Sequence, residues 1–124
     1  MDKKKPVNLQ LTTIRFPITA IVSILHRASG VILFLLIPLM LCLLSASLES
    51  EASFNQISVV MSNPFTKLLV WGLLAALAYH VVAGVRHLLM DWGFGETREG
   101  GIQSAYAILV IAVVLIILAG IWVW

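Results

Sequence analysis

The chain has 124 residues, of which 60% are hydrophobic and 11% are charged, and its formal net charge is +2. Its mean hydropathy of +1.02 is too high for a small soluble domain, and its length leaves no room for several domains. A weakly basic chain without an aromatic-rich soluble face gives no reason to expect nucleic-acid binding. The composition predicts an all-α membrane protein whose single domain, residues 1–124, contacts lipid.

Three apolar windows are long enough to cross a hydrocarbon core about 30 Å thick, which takes roughly 20 helical residues. They cover about residues 23–48, 65–90 and 105–124, and we call them predicted spans I, II and III. The basic residues before span I could suggest a secretory signal, since Ser45-Ala46-Ser47 resembles a cleavage site. The core of a signal is only about 7 to 15 residues and follows its basic residues closely. We therefore expect span I to stay in the mature chain.

Span I opens with a polar group formed by Ser23, His26 and Arg27. Ser23 and Arg27 are four residues apart and share a helical face, while His26 points about 100° away from Arg27. Each residue has a simpler interpretation: Arg27 as a lipid-headgroup anchor, Ser23 bonded to a backbone carbonyl, and His26 as an interfacial residue. Together they could bind an oxygen-bearing ring on one side and haem propionates on the other.

The loop between spans I and II carries apolar residues at helical spacing among Ser, Asn and Gln. These residues are Phe54, Ile57, Val60 and Met61. The spacing predicts a short interfacial helix that ends at Asn63-Pro64.

Span II contains the most informative residue, His80, which lies inside the uncharged run 68–85. An ionisable residue within a membrane segment is a functional hypothesis by default, and such a histidine most often binds a metal or haem. Gly72, Ala76, His80 and Gly84 recur every four residues, so a flat ligand could lie along this stripe. Close packing against a neighbouring helix is the alternative explanation of the small residues.

A haem at His80 would be noncovalent, because the only cysteine, Cys42, forms no C-x-x-C-H site. Low-spin haem iron takes two strong axial ligands. His87 lies two turns beyond His80, about 10 Å along the axis, and we expect His26 to lie too near the surface to meet His80. The second ligand is therefore expected from another chain, which predicts an obligate membrane partner.

The positions of the cations predict the orientation. Basic residues gather before and at the start of span I and again around the second loop, whereas loop 49–63 has neither Lys nor Arg. They are Lys3, Lys4, Lys5, Arg15, Arg27, Arg86 and Arg98. Lys67, at the outer end of span II, is the one exception, and its alkyl stem lets the ammonium reach the interface. The positive-inside rule then places the N-terminus and the second loop in the cytoplasm and the C-terminus in the periplasm. The second loop contains Gly93, Gly95, Gly100 and Gly101, and we expect it to be flexible.

Two sequence segments resemble a known family. The first consists of Lys5-Pro6 and Leu11, followed by Ser23-x-x-His26-Arg27-x-Ser29-Gly30. The second is His80-x-x-x-Gly84-Val85-Arg86-His87-Leu88-x-Met90-Asp91-x-Gly93. In this order and spacing they resemble the signature segments of the cytochrome b membrane subunit of bacterial succinate dehydrogenase (complex II). The family usually has Arg beside the proline, where this chain has Lys5.

The resemblance implies a role for each matching residue. His80 would be an axial ligand of haem b, with the second ligand from a small hydrophobic anchor subunit. Ser23 and Arg27 would line a ubiquinone pocket that the iron–sulfur subunit and the anchor complete. His26, Arg27 and His87 would lie near the haem propionates or the quinone entrance. Arg86 and Asp91 are interpreted as interfacial structure.

The function implied by the resemblance is electron transfer from succinate to ubiquinone at the bacterial inner membrane. Flavoprotein and iron–sulfur subunits would oxidise succinate, so the succinate-oxidising site lies outside this chain. Two alternatives remain open from sequence. One is a fumarate reductase anchor or another b-type quinone-reactive subunit working in the opposite direction. The other is a small transporter or a structural anchor, with His80 as a proton-relay residue.

Overall fold

The computed structural model describes residues 13–124. It contains four helices, α1 (Ile18–Ser47), α2 (Glu51–Ser62), α3 (Pro64–Asp91) and α4 (Arg98–Val123). Three of them, α1, α3 and α4, are long and apolar enough to cross a membrane. The predicted all-α fold with three candidate spans is therefore confirmed. The predictions that rest on Lys3, Lys4, Lys5, Pro6 and Leu11 lie outside the described residues.

Two of the predicted spans begin too late. Helix α1 starts at Ile18 rather than at residue 23, directly after Pro17, whose carbonyl accepts a hydrogen bond from the backbone N–H of Ala20 at 2.9 Å. Helix α4 starts at Arg98 rather than at residue 105, because the side chain of Thr97 caps it by accepting from the N–H of Gly100 at 3.1 Å. Hydropathy locates the apolar middle of a span but not its polar first turns, whereas capping residues mark where the helix begins.

The second loop is consequently shorter than predicted. Gly100 and Gly101 belong to α4, so their assignment to a flexible loop was wrong. Gly93 and Gly95 do lie in the connection, with φ values of 89° and 75°. A left-handed backbone is readily adopted by glycine and is strained for other residues, so these two glycines allow the tight turn from α3 to α4.

The short helix in the first loop is confirmed as α2. The hydroxyl of Ser50 accepts from the N–H of Ser53 at 3.0 Å at its start. The side chain of Asn63 then caps α3 by accepting from the N–H of Phe65 at 2.8 Å, with Pro64 in the first turn. Proline is favoured there because its missing N–H would have no helical partner.

The three long helices pack through small side chains. Ala83 of α3 and Ala105 of α4 are fully buried together with Val22 of α1. Small residues let apolar helices approach closely where lipid supplies no hydrophobic force between them. Most large apolar side chains point away from this core, such as Phe34 and Trp122, which are 77% and 80% exposed. Such a surface suits lipid rather than water.

Polar side chains of α3 form hydrogen bonds to both α1 and α4. The Tyr79 hydroxyl donates to the carbonyl of Val22 at 2.8 Å. The indole N–H of Trp71 donates to the carbonyl of Ile116 at 2.9 Å. In an apolar bundle these hydroxyl and indole groups have no water to bond, so they need partners on the neighbouring helices. The two bonds therefore fix how α3 is rotated against α1 and α4. The rotation of α3 decides which of its residues face α1.

Candidate functional site

Three imidazoles from two helices meet where α1 packs on α3. The ring of His26 stacks on that of His80, with centroids 4.2 Å apart and an angle of 23° between the planes. On its other side the centroid of His26 is 5.1 Å from that of His87, at a tilt of 40°. We call His26, His80 and His87 the histidine cluster. The sequence indicated the three residues but not their contact.

The expectation that His26 lies too near the surface to reach His80 was wrong. Because α1 begins at Ile18, His26 is about two turns inside the helix. The stacking nevertheless prevents both rings from binding one iron. Two axial ligands must each point a nitrogen at the metal, whereas stacked rings present their faces to each other.

The ring of His80 is held at one nitrogen by α1. Its Nδ1 lies 3.1 Å from the carbonyl oxygen of His26 and 3.0 Å from the hydroxyl oxygen of Ser29. The Ser29 hydroxyl itself donates to the same His26 carbonyl at 2.8 Å. A carbonyl oxygen can only accept, so Nδ1 of His80 carries the proton and Nε2 carries the lone pair. Within residues 13–124, no hydrogen bond engages that Nε2.

Glycines give the imidazoles their space. A Cβ added at Gly30 would lie 3.0 Å from Cε1 of His80, and one at Gly84 would lie 3.5 Å from Nε2 of His26. At Gly72, by contrast, a Cβ would meet nothing within 4 Å. The Gly84 end of the small-residue stripe thus faces the histidine cluster, while its Gly72 end is open.

One buried ring nitrogen of the histidine cluster has no partner among residues 13–124. Nε2 of His26 is buried and makes no hydrogen bond to any described residue. A buried polar atom in this state is costly unless another group satisfies it. Among the described residues, no group of three His, Cys, Asp or Glu side chains is placed to hold a bare metal ion.

Ser23 and Arg27 lie on α1 beside the cluster without joining it. Ser23 is half-buried and Arg27 is exposed. Neither side chain is hydrogen-bonded or ion-paired within the described part of the chain, so the interpretation of Ser23 as bonded to a backbone carbonyl has no support. Both groups keep their donors available.

Arg86 is not the interfacial residue that the sequence suggested. It is only 4% exposed, and it lies between α3 and α4. Its Nε donates to the hydroxyl of Ser104 at 2.9 Å and its Nη2 to the carbonyl of Gly101 at 3.1 Å. Asp91, which ends α3, is exposed as expected.

Two large cavities lie along α3. An apolar one of about 500 Å³ runs between α3 and α4, and one of about 610 Å³ lies where the start of α1 meets the turn before α4. Arg86 lines both, and His87 lines the second. Ser23, His26, Arg27 and His80 line neither cavity, so His87 is the predicted site residue that borders one of them.

These features define a class of membrane protein with three candidate spans and a half-buried histidine cluster between two of them. Residues 1–119 match the family model described as the succinate dehydrogenase/fumarate reductase transmembrane subunit. The chain belongs to that family, which confirms the resemblance carried by its two motifs. It is a membrane subunit of this enzyme class.

Individual relatives support the assignment. The chain is 46% identical over 125 aligned positions to the succinate dehydrogenase cytochrome b556 subunit of Coxiella burnetii, with 100% of both chains covered. It is 33% identical to the cytochrome b556 subunit of Paracoccus denitrificans, covering 92% of this chain and 88% of the relative. The mitochondrial cytochrome b560 subunit of Sus scrofa is 28% identical, with 91% of this chain and 68% of the relative covered.

Proposed function

We propose that this chain anchors a succinate dehydrogenase complex in the membrane and binds haem b through Nε2 of His80. The observation that carries the proposal is the hydrogen bonding of Nδ1 to α1, which leaves the lone pair on Nε2. Histidine ligands of metals nearly always donate their other ring N–H to a fixed acceptor in this way. The names of the relatives as cytochrome b556 and b560 subunits agree with a b-type haem.

The neighbouring residues suit the edge of a haem. Nε2 of His26, which has no partner among the described residues, would be satisfied by a propionate. His87, whose ring centroid is 5.1 Å from that of His26, would contribute to the same region, and Arg27, next to His26 in the sequence, is proposed to do so as well. The haem, when bound, supplies one-electron redox chemistry at its iron. The protein residues supply its orientation and the charges around its propionates.

The second axial ligand is proposed to come from a small hydrophobic anchor subunit. Stacking on His80 excludes His26 from that role. The ring of His87 packs against the ring of His26, with centroids 5.1 Å apart. A site that is open on the surface of α1 and α3 also requires a further chain to shield it. Flavoprotein and iron–sulfur subunits complete the proposed complex and contain the succinate-oxidising site.

Ubiquinone is proposed to bind at Ser23 and Arg27. A quinone carries two carbonyl oxygens, and these side chains offer a hydroxyl and a guanidinium donor without competing partners in the described chain. Arg27, always protonated, would stabilise negative charge that develops on one oxygen, and Ser23 would donate to a carbonyl. The protons taken up would come from the cytoplasm.

The distribution of basic residues supports the proposed orientation in the bacterial inner membrane. We expect a reporter joined before Met1 to remain cytoplasmic and one joined after Trp124 to be exposed in the periplasm, because Lys and Arg resist translocation. Protease accessibility in spheroplasts measures both positions. Finding the two ends on the same side would show that one of the three candidate spans does not cross.

Succinate oxidation is favoured over fumarate reduction because the relatives compared above are described as succinate dehydrogenase subunits. The family match gives no support to a transporter. Purification of the assembled complex through an affinity tag on this chain tests the function. Flavin, iron–sulfur clusters and haem should copurify, and succinate should reduce ubiquinone.

A further inference from the structure

Three features of α1 converge on one edge of the His80 ring: the Ser29 hydroxyl, the His26 carbonyl and the bare backbone of Gly30. We propose that Ser29 is a positioning residue that fixes the tautomer and the plane of the His80 ring and thereby lowers the reduction potential of the haem. The inference rests on the proposed ligation of iron by His80.

The direction of each hydrogen bond follows from the available protons. The Ser29 hydroxyl has one proton, and the carbonyl of His26, 2.8 Å away, takes it. Toward His80 the hydroxyl oxygen is therefore an acceptor, 3.0 Å from Nδ1. The Nδ1 proton lies between two oxygens of the same helix. Turning the ring over would place a C–H against both oxygens and would lose both bonds.

The position of Ser29 is suited to this role. It is only 6% exposed, and within residues 13–124 its hydroxyl makes no hydrogen bond besides these two. A serine that bonds to the carbonyl three residues back is common in helices and usually has only local effects. Here the same hydroxyl also reaches a side chain of α3, so a local bond becomes a contact between helices.

The electronic consequence follows from ligand basicity. Acceptors on Nδ1–H place more electron density on the imidazole, which makes Nε2 a stronger donor to the metal. A stronger donor favours ferric over ferrous iron and lowers the reduction potential. Removing the Ser29 oxygen leaves only the His26 carbonyl, so the potential should rise and the ring should be less firmly oriented.

The test compares variants in the assembled complex by redox titration of the haem and by electron paramagnetic resonance of its ferric state. We expect Ser29→Ala to raise the midpoint potential and to shift the low-spin signal. Ser29→Thr keeps the hydroxyl and should resemble the parent. Ser47→Ala is the matched control, because the Ser47 hydroxyl makes the same bond three residues back on α1, at 2.7 Å to Leu44, away from any imidazole.

Each outcome separates the inference from the proposed function. A Ser29→Ala complex with the parental potential and signal would overturn the role of Ser29, as would equal effects of Ser29→Ala and Ser29→Thr. Loss of haem in Ser29→Ala but not in Ser29→Thr or Ser47→Ala would support it. Absence of low-spin haem from the parental complex would instead contradict ligation by His80.

A further variant tests the positioning through Gly30. The added methyl of Gly30→Ala would stand 3.0 Å from Cε1 of His80, so it must displace the ring. We expect the haem signal to change in Gly30→Ala and to stay parental in the Ser47→Ala control. An unchanged signal in Gly30→Ala would mean that contact with α1 does not set the orientation of the ring.

Discussion

His80→Leu should abolish the low-spin haem signal of the assembled complex while α3 still inserts. Leucine supplies no lone pair to iron, and its apolar side chain suits a membrane helix at least as well as imidazole does. The iron would keep at most one axial ligand, so any haem that remains should become high-spin. Optical and low-temperature electron paramagnetic resonance spectra of the purified complex measure this change.

Tyr79→Phe is the control for a disturbed contact between α1 and α3. It removes the hydroxyl bond to Val22 from the residue next to His80 without touching a proposed iron ligand. Its haem should stay low-spin. A His80→Leu complex with an unchanged bis-imidazole spectrum would exclude His80 as the ligand.

Removing the charge of Arg27 should slow ubiquinone reduction far more than it affects assembly. A charged hydrogen bond to the developing quinone anion is worth about 2 kcal/mol, so Arg27→Leu should cost about 30-fold in rate. Ser23→Ala removes a neutral bond of about 1 kcal/mol and should cost about fivefold. Succinate oxidation with an artificial dye acceptor should persist in both variants.

Arg98→Leu is the comparison variant, because it removes an exposed cation at the start of α4 that is not one of the two side chains proposed to hold the quinone. Its rate of ubiquinone reduction should stay close to the parental rate. If Arg27→Leu and Ser23→Ala both reduced ubiquinone at the parental rate while fully assembled, the polar group of α1 would be only an interfacial anchor. The quinone would then have to bind to another subunit.

The sequence was sufficient for the three spans because their apolar cores are long and almost uncharged. It was insufficient for their first turns, where Arg98 and two glycines of α4 look like loop residues and only the Thr97 cap marks the start. The same error at α1 misplaced His26. With α1 starting at Ile18 rather than at residue 23, His26 lies more than one helical turn further from the start of the helix than predicted, and its ring stacks on that of His80.

His80 could be found from sequence because an imidazole is conspicuous in an apolar run. Ser29 appeared in the motif but its contact could not be foreseen, because the same residue bonds its own helix in most settings. The position of the His26 carbonyl against His80 depends on how α1 and α3 pack, which no local pattern specifies. Arg86 was misassigned for a related reason, since the sequence gives its nearness to the helix end but not the Ser104 hydroxyl and Gly101 carbonyl that allow its burial.

The absorption spectrum of the complex purified through this chain, recorded before and after succinate is added, tests the central claim most directly. Because the proposed subunits pass electrons from succinate to the membrane site, the account predicts a low-spin b-type haem, near one per copy of this chain, whose spectrum changes on reduction. A complex that oxidises succinate and reduces ubiquinone yet contains no haem would contradict the assignment of His80 as an iron ligand.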